Sequence, residues 1–134
     1  MKQLTKKIDA KRVAGLAISN QRESFAQFDS KGKALRPGTL WLDERAQKEV
    51  KDIVAELGAE AVHNISGKPA DVTPCLYRCR WLSTHMPKVW AKTAKTAEVH
   101  GVLTHFLTGQ WATSTASADP MGLLNVGAYD WSDV

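Results

Sequence analysis

Five polar residues, Ser19-Asn20-Gln21-Arg22-Glu23, follow a continuous apolar run, Val13-Ala14-Gly15-Leu16-Ala17-Ile18. In open α/β sheets ligands bind beyond the carboxyl ends of strands, so a polar cluster at that place is a candidate site. Arg22 supplies five N–H donors in a rigid fork, and an ionised Glu23 supplies acceptors only. Side by side they match a polyol, because each hydroxyl of a sugar both donates and accepts. Gln21, in the same loop, is a weaker candidate. The competing reading is a structural ion pair or a solvated turn. Trp41 is the second candidate. An indole lies flat against the apolar C–H face of a sugar while its N–H reaches a hydroxyl. A core tryptophan has the same signature.

Other chemistry is poorly supported. Gly67-Lys68 lacks the spacing of a phosphate-binding loop, and no serine occupies a G-x-S-x-G elbow. The four histidines, His63, His85, His100 and His105, show no metal-ligand spacing. Cys75 and Cys79, four apart, share one face if their segment is helical. Two thiolates do not complete a zinc site, and buried thiols are the expectation. Asp43 and Arg45 read as a helix cap and a local pair rather than as ligands. Asp119, before Pro120, reads first as a turn former.

These residues need elements to hold them. Val13–Ile18 reads as a strand buried on both faces. Ser24–Asp29 reads as a second strand, turning at Asp29-Ser30-Lys31-Gly32-Lys33. Thr39–Leu42 reads as a third. Asp43 is placed to cap a helix carrying Ala46, Val50, Ile53, Val54 and Leu57, which Gly58 ends. Leu76, Cys79, Leu82 and Met86 mark a helix from about Cys75 to His85, and Pro87 opens a short one. Val99, Val102, Leu103, Phe106 and Leu107 mark a further helix, stopped by Gly109. Residues 1–11, with Leu4 and Ile8 among lysines, read as the end of a helix. From Thr113 onward small residues and turn formers dominate. Strands and helices mix, so the class is α/β.

Composition fits one modest domain or part of a larger one: 134 residues, 43% hydrophobic and 24% charged. The net charge of +4 and isoelectric point near 9.2 do not imply nucleic-acid binding. The excess sits in residues 1–12, where Lys2, Lys6, Lys7, Lys11 and Arg12 face only Asp9, and the other thirteen basic and thirteen acidic residues cancel. The apolar run is far short of the roughly 20 residues of a membrane span, and no apolar leader segment is evident. A cytoplasmic protein without a membrane partner is expected.

Four segments in order resemble one family. Ala17–Ser24, with its N-Q-R-E, resembles the strand and loop of FGGY carbohydrate kinases, the group of glycerol kinase and xylulokinase. Gly32–Pro37 followed by Leu40-Trp41-Leu42-Asp43-Glu44-Arg45 resembles the family's hairpin and tryptophan strand. Leu107-Thr108-Gly109-Gln110-Trp111 with Thr113–Ser117, and then Asp130-Trp131-Ser132, resemble its L-T-G-E…S-x-A-S and D-W-S segments. Departures exist: Arg78 and Arg80 precede Trp81 where the family has lysine, Cys75 replaces a Ser, Thr or Pro, Thr73 stands where polyol-binding members carry an aromatic residue, and Ser114 replaces a common aspartate.

The resemblance implies a partial actin-like ATPase (ribonuclease H-like) domain lacking its first strands, with residues 1–134 forming part of an N-terminal sugar-binding domain. It implies that Arg22 and Glu23 bind substrate hydroxyls and Trp41 walls the pocket. It implies ATP and Mg2+ as cofactors of a larger enzyme, since the family's D-x-G-T hairpin would precede this chain and its catalytic aspartate would follow it. On that reading the isolated chain is inactive. The expected partners are a sugar or polyol and the remaining kinase segments or a second protomer. An unpaired Val13–Ile18 strand would favour poor solubility or association. A stand-alone sugar-binding module, or a degenerate kinase fragment, is the alternative.

Overall fold

A computed structural model describes Gln3 and residues 6–134. Two antiparallel strands carry the first apolar face. β1 (Phe25–Phe28) pairs with β2 (Lys95–Glu98), Phe25 opposite Glu98 and Phe28 opposite Lys95. The turn after β1 is the expected one: Asp29 Oδ1 accepts the backbone N–H of Lys31 and of Lys33, both at 2.9 Å. Gly32 takes φ +76° there, which only glycine adopts freely.

The helices follow their apolar spacing. α1 (Gln47–Leu57) turns Ile53 inward, and Gly58 ends it by donating its N–H to Val54 O at 2.8 Å. α2 (Ala59–Ser66) follows directly, a helix that the sequence reading leaves out. α3 (Cys75–His85) is the spine of the molecule. Cys75, Cys79 and Leu82 pack with Phe25 and Met121, while Tyr77 packs with Ala46, Ile53 and Val62. One helix thus joins two apolar clusters, which fixes β1 relative to α1 and α2. α4 (Pro87–Trp90) and α5 (Val99–Thr108) match expectation. Glu98 caps α5, its carboxylate accepting the N–H groups of His100 and Gly101 and the hydroxyl of Thr113. The last segment forms α6 (Thr115–Ala118), a 3-10 turn at Asp119–Met121, and a hairpin of β3 (Leu124–Asn125) with β4 (Asp130–Trp131).

Three expectations are corrected. Val13–Ile18 is not a strand: the segment joins no ladder among the described residues, and Val13 and Leu16 are half-exposed. An apolar run becomes a strand only against a hydrogen-bonding neighbour. The third strand shrinks to one bridge between Thr39 and Phe25, after which the chain turns through Asp43 N–H to Leu40 O at 3.1 Å. Asp43 does not cap α1, whose N-cap is Ala46. Its Oδ1 instead accepts from Arg45 N at 3.2 Å and Nε at 2.7 Å. The helix end expected over residues 1–11 falls partly outside the described residues. Within them Ala10–Arg12 makes a single 3-10 turn capped by Asp9.

Candidate functional site

Glu23 adopts φ +56°. A side chain in this left-handed region costs about 1–2 kcal/mol, so the surroundings must impose it. The imposing group is Arg78, on the buried face of α3 and only 1% exposed. Its Nη2 donates to Glu23 O at 2.8 Å and also to Thr73 O, and its Nη1 donates to Leu40 O. One guanidinium therefore fastens three segments far apart in sequence. Each bond to a charged donor contributes about 1.5–3 kcal/mol, and together they compensate the burial of the charge. The Phe25 ring lies 5.6 Å from Arg78 Cζ and covers it.

The candidate side chains stand around this anchor. The Glu23 carboxylate is 18% exposed and lies 3.9 Å from Arg22 Nη2, whereas the Arg22 side chain is 61% exposed. At that distance the pair is loose, and an exposed pair of this kind contributes little to stability. Both groups thus keep free hydrogen-bonding capacity. Trp41, half-exposed, is bound to the same loop through its backbone N–H, which donates to Ser24 Oγ at 3.0 Å. Its indole is therefore not a core residue.

The structure also separates candidates. Arg22 lines a cleft of about 450 Å³, of mixed polar and apolar lining, with Thr115, Asp119, Leu124, Asn125 and Tyr129. Gln21 lines a different, apolar groove of about 210 Å³ with Phe25, Leu40, Val102 and Leu103, and Trp41 lines neither. Among the described residues no side-chain hydrogen bond joins Trp41 to Arg22 or Glu23. What unites Glu23 and Trp41 is backbone, through Arg78 and Ser24. Asp119, across the cleft from Arg22, is held by Lys68 Nζ at 2.7 Å.

Arg78 is the residue that sequence reasoning leaves without a role. Its signal is present, however. It lies three residues after Cys75 and four before Leu82, on the face that otherwise holds only Cys75, Cys79 and Leu82. An arginine there must find acceptors inside the protein. The two thiols beside it are inert. Burial pushes Cys75 up to about 12 and raises Cys79 as well, against the opposing pull of the Arg78 charge.

Residues 1–134 match the FGGY family of carbohydrate kinases, N-terminal domain. The chain is 28% identical over 131 residues to a glycerol kinase of Thermococcus gammatolerans, covering 95% of this chain and 26% of that protein. It is 27% identical over 124 residues to an L-fuculokinase of Haemophilus influenzae, covering 92% of this chain and 26% of that protein. Ligand-bound xylulose kinase from Lactobacillus acidophilus superposes with a TM-score of 0.88 at 26% identity, over 98% of this chain and 26% of its own. The chain thus spans about a quarter of the length of these relatives.

Proposed function

Because this chain belongs to the FGGY family of carbohydrate kinases, we propose that it is part of an N-terminal sugar-binding domain and recognises the hydroxyls of a sugar or polyol for ATP-dependent phosphorylation. The observation that carries this reading is Glu23, held in a left-handed conformation with its carbonyl bound inward by Arg78 and its carboxylate beside the exposed Arg22. Non-glycine residues in strained conformations persist where surrounding structure over-determines them, often at ligand sites.

In this reading the Glu23 carboxylate accepts a hydrogen bond from a substrate hydroxyl, while Arg22 donates to the oxygen of the same or a neighbouring hydroxyl. Trp41 offers an indole face to the C–H side of the substrate. Gln21 is a weaker participant, since it faces another groove. The chain's part in phosphoryl transfer is positioning: it would fix which hydroxyl meets the γ-phosphate. The catalytic base and the nucleotide cradle belong to other segments of the enzyme.

The test is Glu23→Ala in the complete protein that contains this chain, with glycerol, D-xylulose and L-fuculose as substrates. Losing a hydrogen bond to a charged acceptor raises the KM for the sugar about tenfold or more and leaves the KM for ATP unchanged. An unaltered sugar KM would show that the assignment of Glu23 is wrong.

A further inference from the structure

We propose that Arg78 is a positioning residue of the sugar site, an inference that rests on hydroxyl recognition by Glu23 and Trp41. Arg78 is buried and directs its terminal nitrogens to the carbonyls of Glu23, Leu40 and Thr73. None of these acceptors belongs to a regular helix or strand. A guanidinium that served the core alone would satisfy helix ends or a buried carboxylate. This one binds three irregular segments, and two of them carry candidate site residues. Glu23 is one acceptor, and Trp41 directly follows another, Leu40.

The geometry is specific to arginine. The planar fork places two nitrogens at fixed separation. The third nitrogen, Nε, has no partner, so Nη1 and Nη2 alone span the gap between the Glu23 and Leu40 segments. The bond to Glu23 O also fixes the peptide plane after Glu23. Together with φ +56° this sets the direction in which the Glu23 side chain leaves the backbone. With 1% of its surface exposed, Arg78 is too buried to touch substrate. It acts through Glu23 and Trp41. A lysine at position 78 keeps the charge but replaces the fork by a single point donor, which loosens one segment against the other.

The experiment compares wild type, Arg78→Lys, Arg78→Met and Glu23→Ala in the complete protein. Calorimetry without nucleotide reads the affinity for glycerol, D-xylulose and L-fuculose; steady-state kinetics reads sugar KM, ATP KM and kcat; thermal melting reports folding. The expected result is that Arg78→Lys remains folded and weakens sugar binding and raises sugar KM about tenfold or more, with ATP KM unchanged. Arg78→Met has the larger effect. A lowered Tm with sugar affinity and KM intact would mean a purely structural arginine and overturns the proposal. Failure of both Arg78 variants to fold overturns it too, because the residue would then hold the whole domain. If Glu23→Ala weakens sugar binding and Arg78→Lys does not, the Arg78 inference fails alone. If Glu23→Ala is silent, or no sugar gives heat with wild type, the hydroxyl-recognition reading itself fails.

Discussion

Arg78 Nη2 lies 2.8 Å from the carbonyl oxygen of Glu23, a bond across 55 residues of sequence. Glu23 meets it in the left-handed region at φ +56°. Conformation and bond are linked: rotation of Glu23 to negative φ would swing the carbonyl away and leave a buried guanidinium short of an acceptor. A strained residue is thus held by a charge that needs it, and the strain stays below the cost of an unpaired cation.

That linkage predicts an ordering between two substitutions. Glu23→Ala retains the penalty of a Cβ at positive φ, while Glu23→Gly removes it. Glycine gives back part of the gain through the greater freedom of the unfolded chain. The glycine variant is therefore expected to be more stable than the alanine variant by about 1 kcal/mol. Urea denaturation of both measures the difference. An alanine variant equal to or above the glycine variant would mean that Arg78 does not enforce the left-handed state. Both variants lose the carboxylate, so both are expected to lose sugar binding alike.

How much of this was legible in the sequence depended on the range of the forces involved. α3 and α5 were readable because helical hydrogen bonds are local and the apolar spacing of Leu76, Cys79 and Leu82, or of Val99, Val102 and Phe106, repeats within a few residues. The turn at Asp29 was readable because its bonds close within four residues. Val13–Ile18 and Thr39–Leu42 were misread because a strand is defined by its neighbour, which an apolar run does not name. α2 is hidden in the sequence because it begins immediately after the glycine that ends α1. Arg22, Glu23 and Trp41 were legible as residue types. The anchor of their segments is not, because Arg78 reaches Glu23 O and Leu40 O over 55 and 38 residues.

The β1 turn predicts a pH dependence. Asp29 titrates below the ordinary aspartate value. The N–H of Lys33 lowers it most, a little burial opposes, and the N–H of Lys31 and the two ammonium charges lower it further. A carboxyl whose pKa is lower folded than unfolded contributes stability above its unfolded value, near 3.9, and loses it as pH falls through the folded value. Asp29→Asn keeps one acceptor oxygen and no charge. The stability advantage of wild type over this variant is therefore expected to shrink between about pH 5 and about pH 2. Urea midpoints along that series check it. A constant gap would show that the ionised carboxylate does not anchor the turn.

Gly122 offers the sharpest test of packing beside the site. It ends the Asp119–Met121 turn at φ +69°. A Cβ built there would lie 2.9 Å from Pro74 Cβ and 3.7 Å from Leu76 Cβ. Pro74 is buried and adjoins Thr73, whose carbonyl Arg78 holds, so it cannot retreat without disturbing that bond. Gly122→Ala thus combines a steric clash of about 1–3 kcal/mol with a left-handed penalty of about 1–2 kcal/mol. The expected loss is about 2–5 kcal/mol in urea denaturation. Gly15→Ala is the control: nothing lies within 4 Å of its Cβ and its φ lies outside the left-handed region, so the change stays within about 0.5 kcal/mol. If Gly122→Ala costs no more than the left-handed penalty of about 1–2 kcal/mol, Pro74 is free to move, and the Thr73 arm of the Arg78 anchor is looser than its geometry indicates.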